Sequence, residues 1–292
     1  MKRVLLTGAS GQVGARLSQF LWVAGYDVIG LGKREFSTGV NESYRYLSFD
    51  LLTQDIDSLI ERTRPEILIH LAWETQPKTF WNSPNNHLWL NSSRKLIASF
   101  NNWGGEKIVV AGTCGEYDWG LEGPFSEASH ESPRSLYGQS KLTLLNELRD
   151  QCKAFIWTRT FFQFGGKELT GRLIPSLIDS VLSGKKFTIQ NPEDICDFIY
   201  IDDVVRTMFS LITTEQTGVF NVATGLGFSA RDIGIMIASI LDCQELLHFN
   251  HQSRKPINIR ADVSKLKMVL GPISSTPIEE AIGKTIKERV SQ

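Results

Sequence analysis

A tyrosine and a lysine in the segment SLYGQSK could together carry acid–base chemistry. Tyr137 and Lys141 are four residues apart near the start of a predicted helix, so they share one face, one turn apart. A tyrosine ordinarily has a pKa of about 10, and a neighbouring ammonium favours the phenolate and lowers that value. The pair would then exchange a proton with a substrate oxygen near neutral pH. The spacing alone is common in a chain of this length, so its meaning depends on the motifs around it.

A glycine-rich segment near the N-terminus, TGASGQVG, predicts a site for phosphate. It follows an apolar strand and opens a helix from about Gln12, with Gly8, Gly11 and Gly14 at three-residue intervals. Glycine lets the backbone turn tightly and approach a pyrophosphate, while the helix N-terminus supplies N–H groups and its dipole. The alternative is a strand–helix turn that binds nothing. We predict a dinucleotide site with contacts from Gly8, Ser10, Gly11, Gln12, Val13 and Gly14.

The end of the second predicted strand, VIGLG, indicates which dinucleotide would bind. A dinucleotide-binding fold normally places an acid there for the ribose 2′-hydroxyl. This chain has Gly32, followed by the cations Lys33 and Arg34. The missing carboxylate and the two cations favour a 2′-phosphate and therefore NADP(H), whereas the nearby Glu35 keeps NAD(H) open. A solvated basic turn is the alternative interpretation.

Short apolar segments alternate with helix-sized segments along most of the chain. This alternation predicts an α/β fold with a Rossmann-type doubly wound parallel sheet and a smaller mixed α/β C-terminal substrate domain. Helices are expected across 135–150, 172–183 and 278–291, and the segment QNPEDICDFIYIDDV is expected to be a connector and a strand. The predicted dinucleotide-binding domain comprises residues 1–165 and about 195–225, and the substrate-binding domain about 166–194 and 226–292.

The composition excludes several classes of protein. The 292 residues are 41% hydrophobic and 22% charged, as in an ordinary globular protein, and the net charge is −1. No basic cluster interleaves with aromatic residues, so nucleic acid is not an expected partner. No apolar run approaches the length of a membrane span or of a signal-peptide core. The cysteines have no metal-binding or redox spacing, so we expect a reduced cytoplasmic protein without a metal site.

In their order along the chain, these motifs resemble the extended short-chain dehydrogenase/reductase family, whose members act mainly on nucleotide-activated sugars. The resemblance covers nearly the whole chain. It rests on TGASGQVG, Asp50 after the third strand, HLAW at 70–73, Thr113, the Tyr137–Lys141 pair, RLIP at 172–175, DFIYIDDV at 197–204 and ADVSKL at 261–266. It implies that Tyr137 is the acid–base group at the substrate oxygen and that Lys141 binds the nicotinamide ribose. It also implies cofactor contacts at Asp50, Leu51, Leu71, Ala72 and Trp73.

The segment AGTCGEYDWG supplies a third catalytic residue under this resemblance. The family places a Ser or Thr four residues before a tyrosine that here is Tyr117, which identifies Thr113. Its hydroxyl could hold the oxygen that Tyr137 protonates. Cys114 is the alternative nucleophile, but the chain shows no histidine partner to activate a thiol, and hydride transfer needs none. We therefore expect Thr113 to act in catalysis and Cys114 to line the pocket.

The two residues that follow Thr113 depart from the family pattern, and this limits the reactions expected of the chain. Dehydratases of the family carry an Asp-Glu pair where this chain has Cys114 and Gly115. The fucose-synthase type of epimerase-reductase has a cysteine where this chain has Gly115. Elimination of water and epimerisation by those routes are therefore not expected.

The substrate contacts also depart from the family pattern. An Asn and an Arg that usually contact the sugar nucleotide are replaced by Phe162 and Cys196. Arg172 and Arg254 remain as candidates for a diphosphate, with ordinary surface charge as the alternative. An aromatic group could line the ligand site or belong to the core: it comprises Trp73, Phe80, Trp81, Trp89, Tyr117 and Trp119. The predicted substrate contacts are Thr113, Cys114, Gly115, Phe162, Arg172 and Arg254.

The resemblance and its departures together imply an NADP(H)-dependent reductase of a nucleotide-linked keto sugar, of the 4-keto-6-deoxyhexose type. The same residues would serve a nucleotide-sugar 4-epimerase, and Phe162 and Cys196 leave a non-nucleotide carbonyl open as substrate. A nucleotide-binding regulator without catalysis is a further alternative, which the intact Thr113, Tyr137 and Lys141 oppose. By analogy with the family, a homodimer would form through helices near 86–101 and 135–150.

Overall fold

The structure, a computed structural model, describes residues 1–33, 44–152, 154–166, 171–251, 253–272 and 274–291. Within them the strands are β1 (Arg3–Thr7), β2 (Asp27–Gly32), β3 (Tyr44–Ser48), β4 (Ile67–His70), β5 (Lys107–Thr113), β6 (Phe155–Thr160), β7 (Phe162–Phe164), β8 (Phe187–Ile189), β9 (Ile195–Cys196), β10 (Phe198–Tyr200), β11 (Gly218–Val222), β12 (Phe228–Ser229), β13 (Leu247–Phe249) and β14 (Asn258–Ile259). The α-helices are α1 (Gln12–Val23), α2 (Ile56–Thr63), α3 (Asn85–Asn102), α4 (Leu136–Gln151), α5 (Leu173–Leu182), α6 (Ile201–Thr213), α7 (Ala230–Ile240), α8 (Ser264–Leu270) and α9 (Ile278–Val290). Arg34, predicted to meet a 2′-phosphate, lies outside the described residues.

Seven strands form a central parallel sheet in the order β11-β6-β5-β4-β1-β2-β3. The chain runs outward from β1 to β3 and then restarts at β4, on the other side of β1. The direction of winding therefore reverses between β1 and β4. A crevice opens outside the carboxyl ends of the strands at such a reversal, because the connections leave in opposite directions. The predicted doubly wound Rossmann-type sheet is confirmed.

Both faces of the sheet are buried, as a parallel sheet requires. Successive side chains of a strand point to opposite faces. In β1, Leu5 packs toward α2, α3 and α4, whereas Val4 and Leu6 pack toward α1 and α6. All three side chains are fully buried. The two apolar layers fix the sheet, and with it the strand ends that form the crevice.

The start of α4 is held by two close contacts. The Ser135 hydroxyl caps the helix by accepting a hydrogen bond from the Gly138 N–H at 3.1 Å. A side chain at Gly138 would collide with the carbonyl oxygen of Gly115, so glycine lets α4 press against the turn that follows β5. The first turn of α4, which carries Tyr137, is thereby placed beside the end of β5.

The chain after β6 builds a second apolar cluster away from the central sheet. α5, α7 and α9 pack together with β7 and β10, and Ile178, Ile233 and Ile282 lie at its centre. β7 and β10 pair in parallel, with Phe162 opposite Phe198. β11, by contrast, returns to the edge of the central sheet. The proposed division into two domains stays a prediction.

One secondary-structure prediction is wrong. The end of QNPEDICDFIYIDDV was expected to continue a strand, but β10 ends at Tyr200 and α6 begins at Ile201. Asp202 and Asp203 lie in the first turn of α6, where carboxylates interact favourably with the helix dipole. Among the residues that the structure describes, no helix combines the length and apolar character needed to span a bilayer.

Candidate active site

The glycine-rich turn between β1 and α1 forms a cradle at the crevice. Gly8 has a positive φ of 72°, and a side chain there would reach within 3.0 Å of the Ala72 nitrogen. A side chain at Gly14 would collide with the Gly8 carbonyl oxygen, so glycine allows α1 to start close to β1. The N-terminus of α1 carries no acidic side chain in its first turn. These features fit the pyrophosphate of a dinucleotide, which would meet backbone N–H groups and the helix dipole.

Four predicted cofactor contacts meet at the end of β2. A Cβ on Gly32 would lie 2.5 Å from the Ser10 hydroxyl oxygen and would collide with the hydroxyl of Tyr46. Lys33 forms an ion pair with Asp50 at 3.0 Å, and its side chain is 52% exposed. The structure thus brings Ser10, Gly32, Lys33 and Asp50 together. Tyr46 was missed by the sequence analysis, because no motif marks it.

Asp50 is held in its ionised form. Burial acts to raise the pKa of its carboxyl, but hydrogen bonds from the Leu52 N–H and Lys33 and the charge of Lys33 bring the pKa below its usual value. Lys33 already has a carboxylate partner, so a 2′-phosphate would share this ammonium with Asp50.

A neutral buried cluster fixes the ends of β1 and β4. The Thr7 hydroxyl lies 2.8 Å from His70 Nδ1 and accepts a hydrogen bond from the Ala72 N–H at 3.1 Å. His70 Nε2 lies 2.8 Å from the Ser93 hydroxyl, which donates to the Trp89 carbonyl. Burial and the charge of Lys141 together lower the pKa of His70 to about 3, so the ring is neutral at neutral pH. The backbone that leads into Leu71, Ala72 and Trp73 is thereby fixed beside the cradle.

The three predicted catalytic residues come together at the end of β5. Tyr137 and Thr113 are each 8% exposed, and the Thr113 side chain acts to lower the pKa of Tyr137. Lys141 donates a hydrogen bond from Nζ to the Ala111 carbonyl at 2.8 Å. Its Nζ also lies 3.8 Å from the centre of the Trp73 ring and 5.9 Å from that of Tyr137. The structure therefore unites a hydroxyl, a phenol and an ammonium at the crevice.

The ionisation of this pair corrects one prediction. Burial and the charge of Glu116 raise the pKa of Tyr137 well above its ordinary value, although the charge of Arg172 and the hydrogen bond with Thr113 lower it. Burial lowers the pKa of Lys141 to about 7, and Glu116 opposes that shift. The prediction of a depressed tyrosine pKa is thus wrong for this fold, because burial disfavours both charged forms. Tyr137 is a neutral phenol at neutral pH.

A buried carboxylate lies directly behind the predicted catalytic residues. Glu116, which is 0% exposed, accepts a hydrogen bond from the Thr113 N–H at 2.8 Å and another from Arg159 Nε at 2.7 Å. The indole N–H of Trp157 donates to the same carboxylate at 3.0 Å. Glu116 lies within AGTCGEYDWG, but no motif there predicts a role for it, because its Trp157 and Arg159 partners lie 41 and 43 residues away.

Aromatic rings extend from Tyr137 toward the predicted substrate contacts. Trp81 lies edge-on to Tyr137, at 5.8 Å between ring centres, and to Trp119 at 5.7 Å. Trp119 in turn lies 5.9 Å from Phe162. We call Trp81, Trp119 and Phe162 the aromatic wall; all three are half-buried. Gly115 leaves room for it, since a Cβ there would lie 3.2 Å from the Trp81 ring and 3.4 Å from the Thr113 hydroxyl oxygen.

The other residues predicted to contact the substrate differ in their surroundings. Cys114 is buried, its carbonyl accepts a hydrogen bond from the Trp119 indole at 2.9 Å, and burial raises the pKa of its thiol well above the usual range. The thiol is therefore protonated at neutral pH, in keeping with a residue that lines the pocket. Arg172 is the residue before α5, and its charge reaches Tyr137. Arg254 is 46% exposed and forms an ion pair with Asp194 at the approach to β9.

Comparisons with known proteins agree with this geometry. Residues 4–223 match the sequence profile of the NAD dependent epimerase/dehydratase family. The UDP-glucose 4-epimerase of Mycolicibacterium smegmatis is 24% identical over 305 residues, covering 98% of this chain and 97% of that protein. The NAD-dependent NDP-hexosamine 5,6-dehydratase TunA superimposes with a TM-score of 0.87 at 24% identity, covering 100% of this chain and 99% of that one. The UDP-glucuronic acid 4-epimerase of Bacillus cereus, solved with UDP-glucuronic acid and NAD, superimposes with a TM-score of 0.87 at 23% identity, covering 99% of each chain.

Proposed function

Because this chain belongs to the NAD-dependent epimerase/dehydratase family, we propose that it uses NADP(H) to reduce a keto group on a nucleotide-activated sugar. Membership also confirms the resemblance to extended short-chain dehydrogenases/reductases, which are enzymes. One observation carries the proposal for reduction. Tyr137 is a buried neutral phenol next to Thr113, and a neutral phenol is the state required to give a proton to a carbonyl oxygen.

The residues of the site have distinct parts in such a reduction. The glycine-rich turn 8–14 would hold the cofactor, which would supply a hydride to the carbonyl carbon as the C=O electron pair moves onto the oxygen. Tyr137 gives its phenolic proton to that oxygen. The Thr113 hydroxyl already accepts a hydrogen bond from the Gly115 N–H at 3.1 Å, so its own proton is free to hold the same oxygen. The Lys141 ammonium stabilises the phenolate that is left.

Elimination of water is less well supported by these residues. Cys114 is a protonated thiol and Gly115 has no side chain, so neither replaces the acid and base of the family's dehydratases. Glu116 is the next carboxylate along the chain, but it is buried against Arg159 and Trp157. It therefore has no open path to a substrate carbon.

The end of β2 favours NADP(H) as the cofactor. Gly32, which faces the Ser10 and Tyr46 hydroxyls, carries no carboxylate for a ribose 2′-hydroxyl, and the cation Lys33 follows it directly after β2. The structural relative from Bacillus cereus was solved with NAD, so the choice between the two cofactors needs its own test.

A nucleotide-activated sugar suits the substrate half of the crevice. The aromatic wall offers ring faces that can stack on the apolar face of a sugar, and Arg172 offers a cation for phosphate. UDP-sugars are named for two of the relatives above. A sugar with few hydroxyls on one face, such as a 4-keto-6-deoxyhexose, would suit the wall best.

A 4-epimerase is the second candidate function, because the relative from Mycolicibacterium smegmatis is named as one. The two functions differ in stoichiometry. We would offer the purified protein nucleotide-linked 4-keto-6-deoxyhexoses and follow NADPH at 340 nm, with Tyr137→Phe as the inactive control. A reductase consumes one NADPH for each keto sugar. An epimerase interconverts a UDP-hexose and its 4-epimer while added NADPH stays constant, and that result would replace our proposal.

A further inference from the structure

The buried Glu116 carboxylate has a role in catalysis that neither the motifs nor the relatives assign. We propose that Glu116 is a positioning residue that fixes Thr113 from behind and holds the Tyr137–Lys141 pair in its proton-carrying form. Glu116 does not touch the substrate in this account. The consequence for reduction rests on the proposed function, whereas the effect on the pair itself does not.

The backbone geometry ties Glu116 to Thr113 from two sides. The Glu116 carboxylate accepts the Thr113 N–H at 2.8 Å, and the Thr113 hydroxyl accepts the Gly115 N–H at 3.1 Å. This reciprocal arrangement closes a one-turn helix, Cys114–Glu116, directly at the end of β5. The orientation of the Thr113 hydroxyl therefore depends on the carboxylate behind it.

The packing at the end of β5 leaves space for the charged side chain of Glu116. Gly112 pairs with Arg159 across β5 and β6. A Cβ on Gly112 would collide with the Trp157 indole nitrogen and lie 2.7 Å from the Glu116 carboxylate. A glycine near the end of β5 therefore makes room for the Trp157 indole and the Glu116 carboxylate, at some cost to strand stability. Because Gly112 leaves this space next to Thr113, we infer that the Glu116 carboxylate has a specific role there.

Arg159 favours the ionised form of Glu116. Burial raises the pKa of the Glu116 carboxyl above its usual value, and the charge and hydrogen bond of Arg159 oppose that rise. Arg159 is itself 0% exposed, contacts Glu131 on its far side and stacks 4.4 Å from the Tyr117 ring. Since the guanidinium lies behind the carboxylate, the negative end of this dipole faces the catalytic residues.

The charge of Glu116 reaches both members of the catalytic pair. It raises the pKa of Tyr137 and the pKa of Lys141, so it favours phenol and ammonium together. Arg172, on the approach to α5, acts on Tyr137 in the opposite direction, and the protonated Cys114 thiol carries no charge at neutral pH. His70 faces Lys141 from β4 as a neutral ring. Glu116 is therefore the negative charge that offsets the desolvation of Lys141.

The test measures the ionisation of Lys141 directly. Protein labelled with ¹³C at the lysine Cε is titrated by NMR, and the Lys141 resonance is identified by its loss in Lys141→Met. We expect a midpoint near 7 in the native protein. Removal of a nearby negative charge disfavours the ammonium, so Glu116→Gln should lower that midpoint by about one pH unit. Glu131→Gln, which removes a carboxylate from the far side of the same guanidinium, is the matched control and should leave the midpoint unchanged.

A second readout links the charge to turnover. Deprotonation of Lys141 ends the active form on the alkaline side, so the descending limb of kcat/KM against pH should move to lower pH in Glu116→Gln by the same amount. If that variant does not fold, judged by circular dichroism, Glu116→Gln/Arg159→Met removes both charges and should still lower the midpoint. An unchanged Lys141 midpoint in a folded variant would overturn the proposal. A lowered midpoint in a protein that reduces no keto sugar would support the role of Glu116 and reject the proposed function.

Discussion

The crevice has a proposed cofactor half and a proposed substrate half, and the two differ in the structural features that form them. The cofactor half consists of the turn 7–14 and the ends of β2 and β4, where glycines and backbone N–H groups set the shape. The substrate half consists of the turn after β5, the aromatic wall and Arg172, where large side chains from distant segments set the shape. A backbone site depends on local spacing, whereas a side-chain site depends on packing. The first can therefore be recognised in a sequence, and the second needs the fold.

Thr113 and Tyr137 lie at the border of the two halves, and their loss should have the largest effect. Thr113→Val keeps the shape but removes the hydroxyl, so turnover should fall by about 10²-fold while NADPH still binds. Tyr137→Phe should cost at least as much. The double variant should cost less than the product of the two, because both act on one oxygen. Steady-state kinetics and a fluorescence titration with NADPH would measure both properties.

Cys114→Ala is the control for that experiment. The buried thiol gives up only packing when it is truncated, so this variant should lose far less turnover than Thr113→Val. An inactive Cys114→Ala beside an active Thr113→Val would contradict the assignment and indicate a thiol mechanism.

Cofactor binding can be weakened by a substitution that changes none of the predicted catalytic residues. Gly14→Ala introduces a Cβ that collides with the Gly8 carbonyl, so the cradle must distort. NADPH affinity should fall by roughly 10²-fold, or about 2.7 kcal/mol. Gly283→Ala in α9 is the matched control, because a Cβ there meets nothing within 4 Å. Calorimetric titration of the two variants should separate them, and equal affinities would show that this turn is not the cradle.

The selectivity for NADP(H) should depend on the end of β2. If Lys33 and Arg34 meet a 2′-phosphate, the native protein should bind NADPH at least tenfold more tightly than NADH, a difference of about 1.4 kcal/mol. Lys33→Ala/Arg34→Ala should remove most of that difference and leave NADH binding unchanged. Since Asp50 already pairs with Lys33 at 3.0 Å, equal affinities in the native protein would mean that the ion pair neutralises the site and that NAD(H) is used.

The substrate half should show the smallest effect, at Arg172. Its replacement by Ala should raise KM for a nucleotide sugar about fivefold, or about 1 kcal/mol, with little change for a small unphosphorylated ketone. Arg254→Ala provides a comparison, since this arginine is 46% exposed and paired with Asp194. An unchanged KM in both variants would place the nucleotide elsewhere or indicate a substrate without one.

The sequence predicted features that depend on local spacing. The regular alternation of strands and helices gave the sheet, and the glycine spacing gave the start of α1 at Gln12. The tyrosine–lysine spacing placed both side chains on one face of α4. Each of these follows from helix or turn geometry within a few residues.

Features that depend on burial could not be predicted from the sequence. The pKa of Tyr137 rises because the fold removes it from water, a quantity that a spacing rule does not contain. The role of Glu116 could not be predicted, because its partners Trp157 and Arg159 lie on β6 and reach it only in the folded chain. Tyr46 joins the cofactor half in the same way, from a strand without a motif.

The fate of a labelled hydride tests the central claim most directly. The protein would be incubated with NADPH that carries deuterium at the transferred position of C4, together with a nucleotide-linked 4-keto-6-deoxyhexose, and the product analysed by mass spectrometry. With Tyr137 as proton donor to a carbonyl, we predict one deuterium in each product molecule and one NADPH consumed for it. A product without deuterium, formed while NADPH stays constant, would contradict the account.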